Sequence, residues 1–87
     1  MIRVVSLVGQ TGYHEVMSPT AEARLRSFAE LTVNDSVRAP SPERMAAMLA
    51  DADACLTGWG VRLPAEAIAG AERLRIIAPL MRHGGIF

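Results

Sequence analysis

The segment from Gly58 to Leu63 comes nearest to a known ligand-binding pattern in this chain. It reads G-x-G-x-x-L between a predicted strand and a predicted helix, one residue away from the G-x-G-x-x-G unit that binds dinucleotides. In that unit the third glycine lets the helix pack closely on the strand, and Leu63 occupies its place. The acidic residue that should follow about 20 positions later, to hold a ribose, is missing around Ala78. We therefore interpret the segment as a glycine-rich turn and predict no cofactor-binding residue in this chain.

The same turn is our candidate for contact with a small substrate. Ligands of open parallel sheets bind at loops beyond the carboxyl ends of the strands, and this turn directly follows a predicted strand. In the alternative interpretation, Trp59 only covers the edge of the sheet. The residues predicted to bind substrate are Thr57, Gly58, Trp59 and Gly60.

Other residues with reactive or ligating groups do not form a recognisable site. Gly9-Gln10-Thr11-Gly12 could present backbone amides to an anion, but it lacks the Lys-Ser/Thr pair of a P-loop, and we predict a plain turn. The possible metal ligands have no spacing typical of zinc elements, so we predict no metal site and no catalytic residue. Cys55 lies in an apolar run, where a thiol packs in the core instead of acting as a nucleophile. The possible ligands are His14, Glu15, Cys55 and His83.

Length and charge restrict the class of protein. A chain of 87 residues is sufficient for one compact domain. Nine basic residues balance nine acidic residues, so electrostatics favour neither nucleic acid nor a membrane surface as a partner. The single cysteine cannot form an internal disulfide, and no apolar stretch approaches the roughly 20 residues that span a bilayer. We expect a soluble cytoplasmic protein.

Short apolar runs alternate along the chain with helical patterns, which predicts a parallel α/β sheet. Strands are predicted at residues 3–8, 31–33, 54–57 and 74–78. Helices are predicted at 18–30, from 41 to about 52, and at 64–71. Ser18-Pro19 and Ser41-Pro42 give the first two helices the same start, a capping serine followed by proline. The residues expected to face the core are Ala21, Leu25, Phe28 and Ala29 in the first helix, and Met45, Met48, Leu49 and Ala52 in the second.

The order of elements, β-α-β-α-β-α-β, predicts helices on both faces of an open sheet of about four strands. Such a sheet resembles a flavodoxin-like fold that is cut short, because the complete fold has a fifth strand and a closing helix. Strand four or its neighbour should then present a bare edge. We assign residues 1–78 to this partial domain and 79–87 to an irregular tail, since Pro79 cannot donate to a sheet ladder and Gly84-Gly85 follow.

Four segments carry a resemblance to a known family: 41–43, 51–60, 63–66 and 74–78. Through them nearly the whole chain resembles the D-isomer-specific 2-hydroxyacid dehydrogenases, the phosphoglycerate dehydrogenase-like family. The resemblance implies the N-terminal part of a flavodoxin-like substrate-binding domain, with an NAD(P) domain inserted before the last helix of that domain. It also implies an oxidoreductase whose ligand is a small 2-hydroxy or 2-oxo acid.

Two departures from the family pattern concern substrate binding. Many members carry an arginine after the third strand that touches the acid group of the substrate, and Gly58 occupies that position here. The family also has a glycine-containing loop after the fourth strand, where this chain reads Pro79-Leu80-Met81-Arg82-His83-Gly84. The cofactor domain and the catalytic arginine, carboxylate and histidine of the family fall outside the 87 residues.

The leading hypothesis is a substrate-domain fragment of an NAD(P)-dependent D-2-hydroxyacid dehydrogenase that does not catalyse alone. A second hypothesis is a stand-alone α/β interaction module that pairs its open sheet edge with itself or with a partner. A third is a small-molecule binding module that uses the loops after strands one and three.

Overall fold

A computed structural model of the chain describes residues 1–58 and 61–80. Within them the strands are β1 (Ile2–Ser6), β2 (Ala29–Val33), β3 (Ala54–Thr57) and β4 (Ile76–Pro79). The helices are α1 (Gln10–Val16), α2 (Pro19–Arg26), α3 (Pro42–Leu49) and α4 (Ala65–Ile68). None of the helices in these two ranges combines the length and the apolar character that a membrane span needs.

The strands form one sheet in the order β2-β1-β3-β4, and every pair is parallel. Val4 lies beside Leu31 on one side and Ala54 on the other, and Ala54 lies beside Ile76. The predicted open parallel α/β sheet is therefore confirmed. This order equals the first four positions of the flavodoxin-like order 2-1-3-4-5, and it leaves β2 and β4 at the two edges.

The two faces of the sheet carry separate clusters because neighbouring residues of a strand point to opposite sides. On the first face, Val5 and Cys55 pack with Met45 and Leu49 of α3 and Ala67 of α4. On the second face, Val4, Ala29 and Leu31 pack with Leu25 of α2. Helices therefore lie on both faces, as the alternating pattern predicts.

Both predicted capping serines do cap helices. The Oγ of Ser18 accepts a hydrogen bond from the amide of Ala21 at 3.1 Å, and the Oγ of Ser41 accepts one from the amide of Arg44 at 3.3 Å. A proline follows each serine at the first helical position. There its missing N–H costs nothing, because that group has no partner within a helix.

The prediction of a plain turn at Gly9–Gly12 is wrong, because α1 begins at Gln10 with Gly9 as its N-cap. The helix is short, and its one buried side chain is Tyr13. A single apolar contact in two turns produces no helical period in the sequence. Contacts with residues that are distant in the sequence therefore stabilise this helix.

The first predicted helix is too long by four residues. It ends at Arg26, because Ala29 and Glu30 pair with β1 as the start of β2. Its predicted core face is divided as a result: Ala29 is buried in a strand and Leu25 is half-buried, while Ala21 and Phe28 are exposed.

Two further boundaries differ at the other end of the sheet. β4 begins at Ile76 and includes Pro79 opposite Thr57, so our expectation that regular structure stops before Pro79 is wrong. A proline is acceptable here because β4 lies at the edge of the sheet, where one side of the strand needs no ladder hydrogen bonds. α4 covers only Ala65–Ile68 of the predicted 64–71. Residues 81–87 of the predicted tail lie outside the described residues.

Candidate functional site at the carboxyl edge of the sheet

The strand order brings the loops after β1 and β3 together. The chain passes from β1 outward to β2 and then returns past β1 to β3, so the order of the strands reverses at the β1–β3 pair. In open α/β sheets this reversal opens a crevice beyond the carboxyl ends of the two strands, and ligands bind there. Thr57 and Gly58, predicted to contact substrate, lie at that place. Trp59 and Gly60 lie outside the described residues.

Direct contacts join these two loops. The pairing of the strands continues past the end of β1, where the amide of Leu7 donates to the carbonyl of Leu56 at 3.0 Å. A Cβ atom at Gly58 would lie 3.4 Å from a methyl group of Val8. On the far side of the β3 loop, the amide of Val61 donates to the carbonyl of Gly58 at 3.1 Å. The end of β3 and Gly58 thus lie against the segment that follows β1, and Gly58 is also joined to Val61.

The loop after β4 closes on Gly58 from the other side. A Cβ atom at Gly58 would lie 3.0 Å from the carbonyl oxygen of Leu80, closer than a side chain normally approaches a backbone oxygen. The amide of Leu80 donates to the carbonyl of Thr57, which fixes this approach. Any side chain at position 58 would therefore require Leu80 to move.

The loop after β1 is held by the loop after β2. The amide of Gln10 donates to the carbonyl of Ser36 at 2.8 Å, and its side-chain amide donates to the carbonyl of Asn34 at 2.6 Å. A side chain at Gly9 would overlap the carbonyl oxygen of Val37. Glycine is needed at this position because the two backbones approach so closely.

Asn34 is the buried polar residue that organises the loop after β2. Its side chain is 1% exposed, and its Nδ2 donates to the carbonyl of Arg38 at 2.8 Å. Its Oδ1 accepts from the amide of Ser36 at 3.2 Å, which is an Asx turn. The sequence Asn34-Asp35-Ser36 favours such a turn, but it does not predict that the turn accepts hydrogen bonds from Gln10.

Sequence reasoning gave no role to Ser6, the last residue of β1. It is fully buried, and its Oγ has no hydrogen-bond partner in the described part of the chain. Buried polar atoms without partners are uncommon. Its neighbours across the sheet are Val33 and Leu56, so its hydroxyl lies among apolar side chains.

A buried tyrosine joins α1 to α2 beside this edge. The hydroxyl of Tyr13 donates to the carboxylate of Glu22, which also lies 3.5 Å from the guanidinium of Arg26. This hydroxyl and then Arg26 lower the pKa of Glu22, while burial and the neighbouring carboxylate raise the pKa of Tyr13. Tyr13 therefore stays neutral and acts as a structural hydrogen-bond donor.

The charged side chains with ion pairs lie mostly at the opposite, amino edge of the sheet. Asp53 accepts from the backbone amide of Arg3 at 2.9 Å and from the guanidinium of Arg73 at 3.3 Å. These contacts, the backbone amide first, lower the pKa of Asp53. Arg3 also pairs with Glu30 at 3.6 Å and Asp51 at 3.9 Å. These contacts connect the start of β1 with β2 and with the segments before β3 and β4.

Cys55 belongs to the core, and His83, another of the possible metal ligands, lies outside the described residues. Cys55 is fully buried in the first cluster, as predicted, and burial raises the pKa of its thiol to about 11. At neutral pH this thiol is protonated and has little reactivity. Across residues 1–58 and 61–80, no three His, Cys, Asp or Glu side chains lie close enough together to hold a metal ion.

The described residues do not fit the phosphate end of an NAD(P) molecule at the Gly58 turn. Leu63, which replaces the third glycine of the dinucleotide pattern, is a partly buried side chain that packs against the first cluster, where that pattern needs a residue without a side chain.

No protein-family model, curated protein or solved structure matches this chain.

Proposed function

We propose that this chain forms the first part of the substrate-binding domain of an NAD(P)-dependent D-2-hydroxyacid dehydrogenase. The observation that supports the proposal is the strand order β2-β1-β3-β4, which puts Thr57 and Gly58 at the point where the order reverses. In this proposal the segment Thr57–Gly60 contacts a small 2-hydroxy or 2-oxo acid. The cofactor and the acid-base residues belong to another domain, so this chain does not turn over substrate alone.

The chemistry proposed for the loop is binding and orientation. Position 58 carries no cation, so the carboxylate of the substrate has to be met by backbone amides or by charged groups elsewhere. Thr57 is half-buried and extends from the end of β3, where its hydroxyl can donate to a ligand oxygen. The unpaired Cys55 fits the proposed location in the cytoplasm.

The proposal is tested by titrating the isotope-labelled chain with pyruvate and with D-lactate and recording amide chemical shifts. We expect millimolar binding that shifts the amides of Thr57, Gly58 and their neighbours in the loops after β1 and β4. Thr57→Val keeps the shape of the side chain and removes its hydroxyl, so it should weaken binding about fivefold to tenfold.

Thr32→Val is the matched control, because Thr32 is an exposed residue within β2, the edge strand farthest from β3 and β4. It should leave the titration unchanged. If no amide at the carboxyl edge shifts with either acid, or if the chain alone oxidises NADH with a 2-oxo acid, the proposal is wrong.

A second candidate, a general small-molecule binding module, is favoured by the contact between the loops after β1 and β3. Gln10 follows β1, and its side chain is already anchored to Asn34, so the crevice has one fixed wall without any further domain. Shifts at Gly9, Gln10 and Gly58 with ligands that are not 2-hydroxy or 2-oxo acids would favour this candidate over the first.

A further inference from the structure

Arg38 carries a positive charge at the carboxyl edge of the sheet. It lies in the loop after β2, and its side chain is exposed. Within residues 1–58 and 61–80, none of the ion pairs includes Arg38. The carboxylate of Asp35, in the same loop, lies 3.8 Å from the guanidinium of Arg44 instead. The guanidinium of Arg38 is therefore available to an anionic ligand.

The backbone of Arg38 is fixed by a buried side chain. Its carbonyl accepts a hydrogen bond from the Nδ2 of Asn34 at 2.8 Å, and Asn34 is buried. Its amide donates to the Oγ of Ser36 at 3.2 Å. The next residue, Ala39, packs against the first cluster. The point from which the Arg38 side chain extends is thus fixed before a ligand binds, which lowers the entropy cost of binding.

The loop after β1 lies between Arg38 and Gly58. A Cβ atom at Gly9 would lie 3.5 Å from the amide nitrogen of Arg38. Val8, the residue before Gly9, has a methyl group 3.4 Å from the place of a Cβ atom at Gly58. Because β2 and β3 lie on opposite sides of β1, the loops that follow them are about two strand spacings, or about 10 Å, apart. The long side chain of an arginine and a small acid can span this distance together.

The other arginines near the sheet are less suited to this contact. Arg3 and Arg73 lie at the amino edge and are paired with carboxylates. Arg62 is exposed in the loop after β3. Arg38 differs from Arg62 in that its backbone is held by a buried amide and approaches Gly9.

We infer that Arg38 binds the carboxylate of the acid that occupies the crevice, through two parallel hydrogen bonds from its guanidinium. The inference rests on the proposed function, because it takes the ligand to be a small 2-hydroxy or 2-oxo acid beside Thr57 and Gly58. Arg38 supplies the positive charge that position 58 lacks. It thereby selects an anionic ligand over a neutral one of the same size.

The inference is tested by comparing pyruvate with pyruvamide, which has nearly the same size and no charge. Amide chemical shifts of the isotope-labelled full chain give both dissociation constants. The parent should bind pyruvate about threefold to fivefold more tightly than pyruvamide, as expected for a solvent-exposed ion pair. Arg38→Gln should abolish this preference and leave the binding of pyruvamide unchanged. Arg38→Lys should keep part of the preference, because it retains the charge and loses the paired hydrogen bonds.

Arg75→Gln is the matched control. Arg75 is exposed and directly precedes β4, so this variant removes the same charge from the opposite, amino edge of the sheet. It should bind both ligands like the parent. Arg62→Gln examines the other exposed arginine of the carboxyl edge and should also keep the preference for pyruvate. Amide spectra of each variant establish that it is folded.

The possible failures are distinguishable. If pyruvate shifts the amides of Thr57 and Gly58 but Arg38→Gln keeps the preference of the parent, the inference is wrong and the proposed function stands. Loss of the preference in Arg62→Gln alone assigns the carboxylate to Arg62 and overturns the inference. An equal loss in Arg75→Gln shows an effect of net charge and overturns it as well. If pyruvate shifts no amide of the parent at this edge, the proposed function fails, and the inference fails with it.

Discussion

At the scale of single residues, close backbone approaches determine which positions tolerate change. Gly9 and Gly58 both lie where two loops meet at the carboxyl edge, with the carbonyl groups of Val37 and Leu80 beside them. Gly70, by contrast, has no atom within 4 Å of the place where a Cβ would stand. The space available for a side chain therefore differs between these three glycines, although the sequence alone does not distinguish them.

Gly9→Ala should lower the free energy of unfolding by about 1–3 kcal/mol, because the added methyl group forces the loop containing Val37 away. Gly70→Ala should leave stability unchanged or raise it by up to about 1 kcal/mol, since it restricts the unfolded chain at no steric cost. Urea unfolding followed by circular dichroism measures both. Equal effects of the two substitutions would show that Gly9 is not constrained by Val37.

Cys55 should not react with a thiol reagent such as 5,5′-dithiobis(2-nitrobenzoate) at pH 7.5 while the chain is folded. Its side chain is fully buried, and burial raises the pKa of the thiol to about 11. Addition of urea above the unfolding midpoint should expose one thiol per chain at once. Fast labelling of the native chain would contradict the placement of Cys55 in the core.

At the scale of elements, helix starts follow from local chemistry and helix ends from tertiary pairing. Ser18-Pro19 and Ser41-Pro42 begin α2 and α3 where the sequence predicts. α2 ends at Arg26, four residues before the predicted end at residue 30, because Ala29 and Glu30 pair with β1 as part of β2. The hydrogen bonds of a strand pair thus override four residues of helical propensity.

Ser18→Ala and Ser41→Ala should each destabilise the chain by about 1 kcal/mol, because each leaves a first-turn amide without its acceptor. Thr20→Ala is the matched control within α2: its side chain is exposed, and the change should be neutral or slightly stabilising. Thermal unfolding of the three variants distinguishes them. A loss in Thr20→Ala as large as that in Ser18→Ala would argue against the cap.

At the scale of the whole molecule, a carboxylate at each end of the sheet joins distant segments. Asp53 connects the beginning of β1 to the segment before β4 through Arg3 and Arg73. Glu22 connects α2 to α1 through Tyr13. The hydrogen bonds that hold these carboxylates lower the pKa of each in the folded state.

The free energy of unfolding should therefore depend on pH in the acid range. A carboxyl group whose pKa is lower in the folded chain stabilises it above the unfolded values, about 3.9 for Asp and 4.3 for Glu, and this contribution disappears as the pH falls through the folded pKa. Urea unfolding at pH 7 to 2 should show a loss of stability below about pH 4. Asp53→Asn and Glu22→Gln should each reduce the loss of stability between pH 7 and pH 2. If a variant loses as much stability over this range as the parent, the carboxylate that it lacks does not contribute to the pH dependence.

The sequence by itself determined those features that depend on residues close to each other in the chain. The alternation of apolar runs and helical patterns determined the parallel α/β class, the two Ser-Pro pairs determined two helix starts, and the apolar run around Cys55 determined a buried strand. It also placed Thr57 at the end of β3 and Gly58 directly after it. In each case the signal and the structure lie within a few residues of each other.

Only the tertiary structure decided the features that depend on residues far apart in the chain. The helix at Gln10 depends on the contacts of Gln10 with the loop after β2, and Pro79 joins the sheet because Thr57 and Leu80 meet. The exposure of Ala21 and Phe28 follows from the position of α2 over β2. Pairing and packing energies between distant segments have no local signature, so the crevice around Gly58 is visible only in the folded chain.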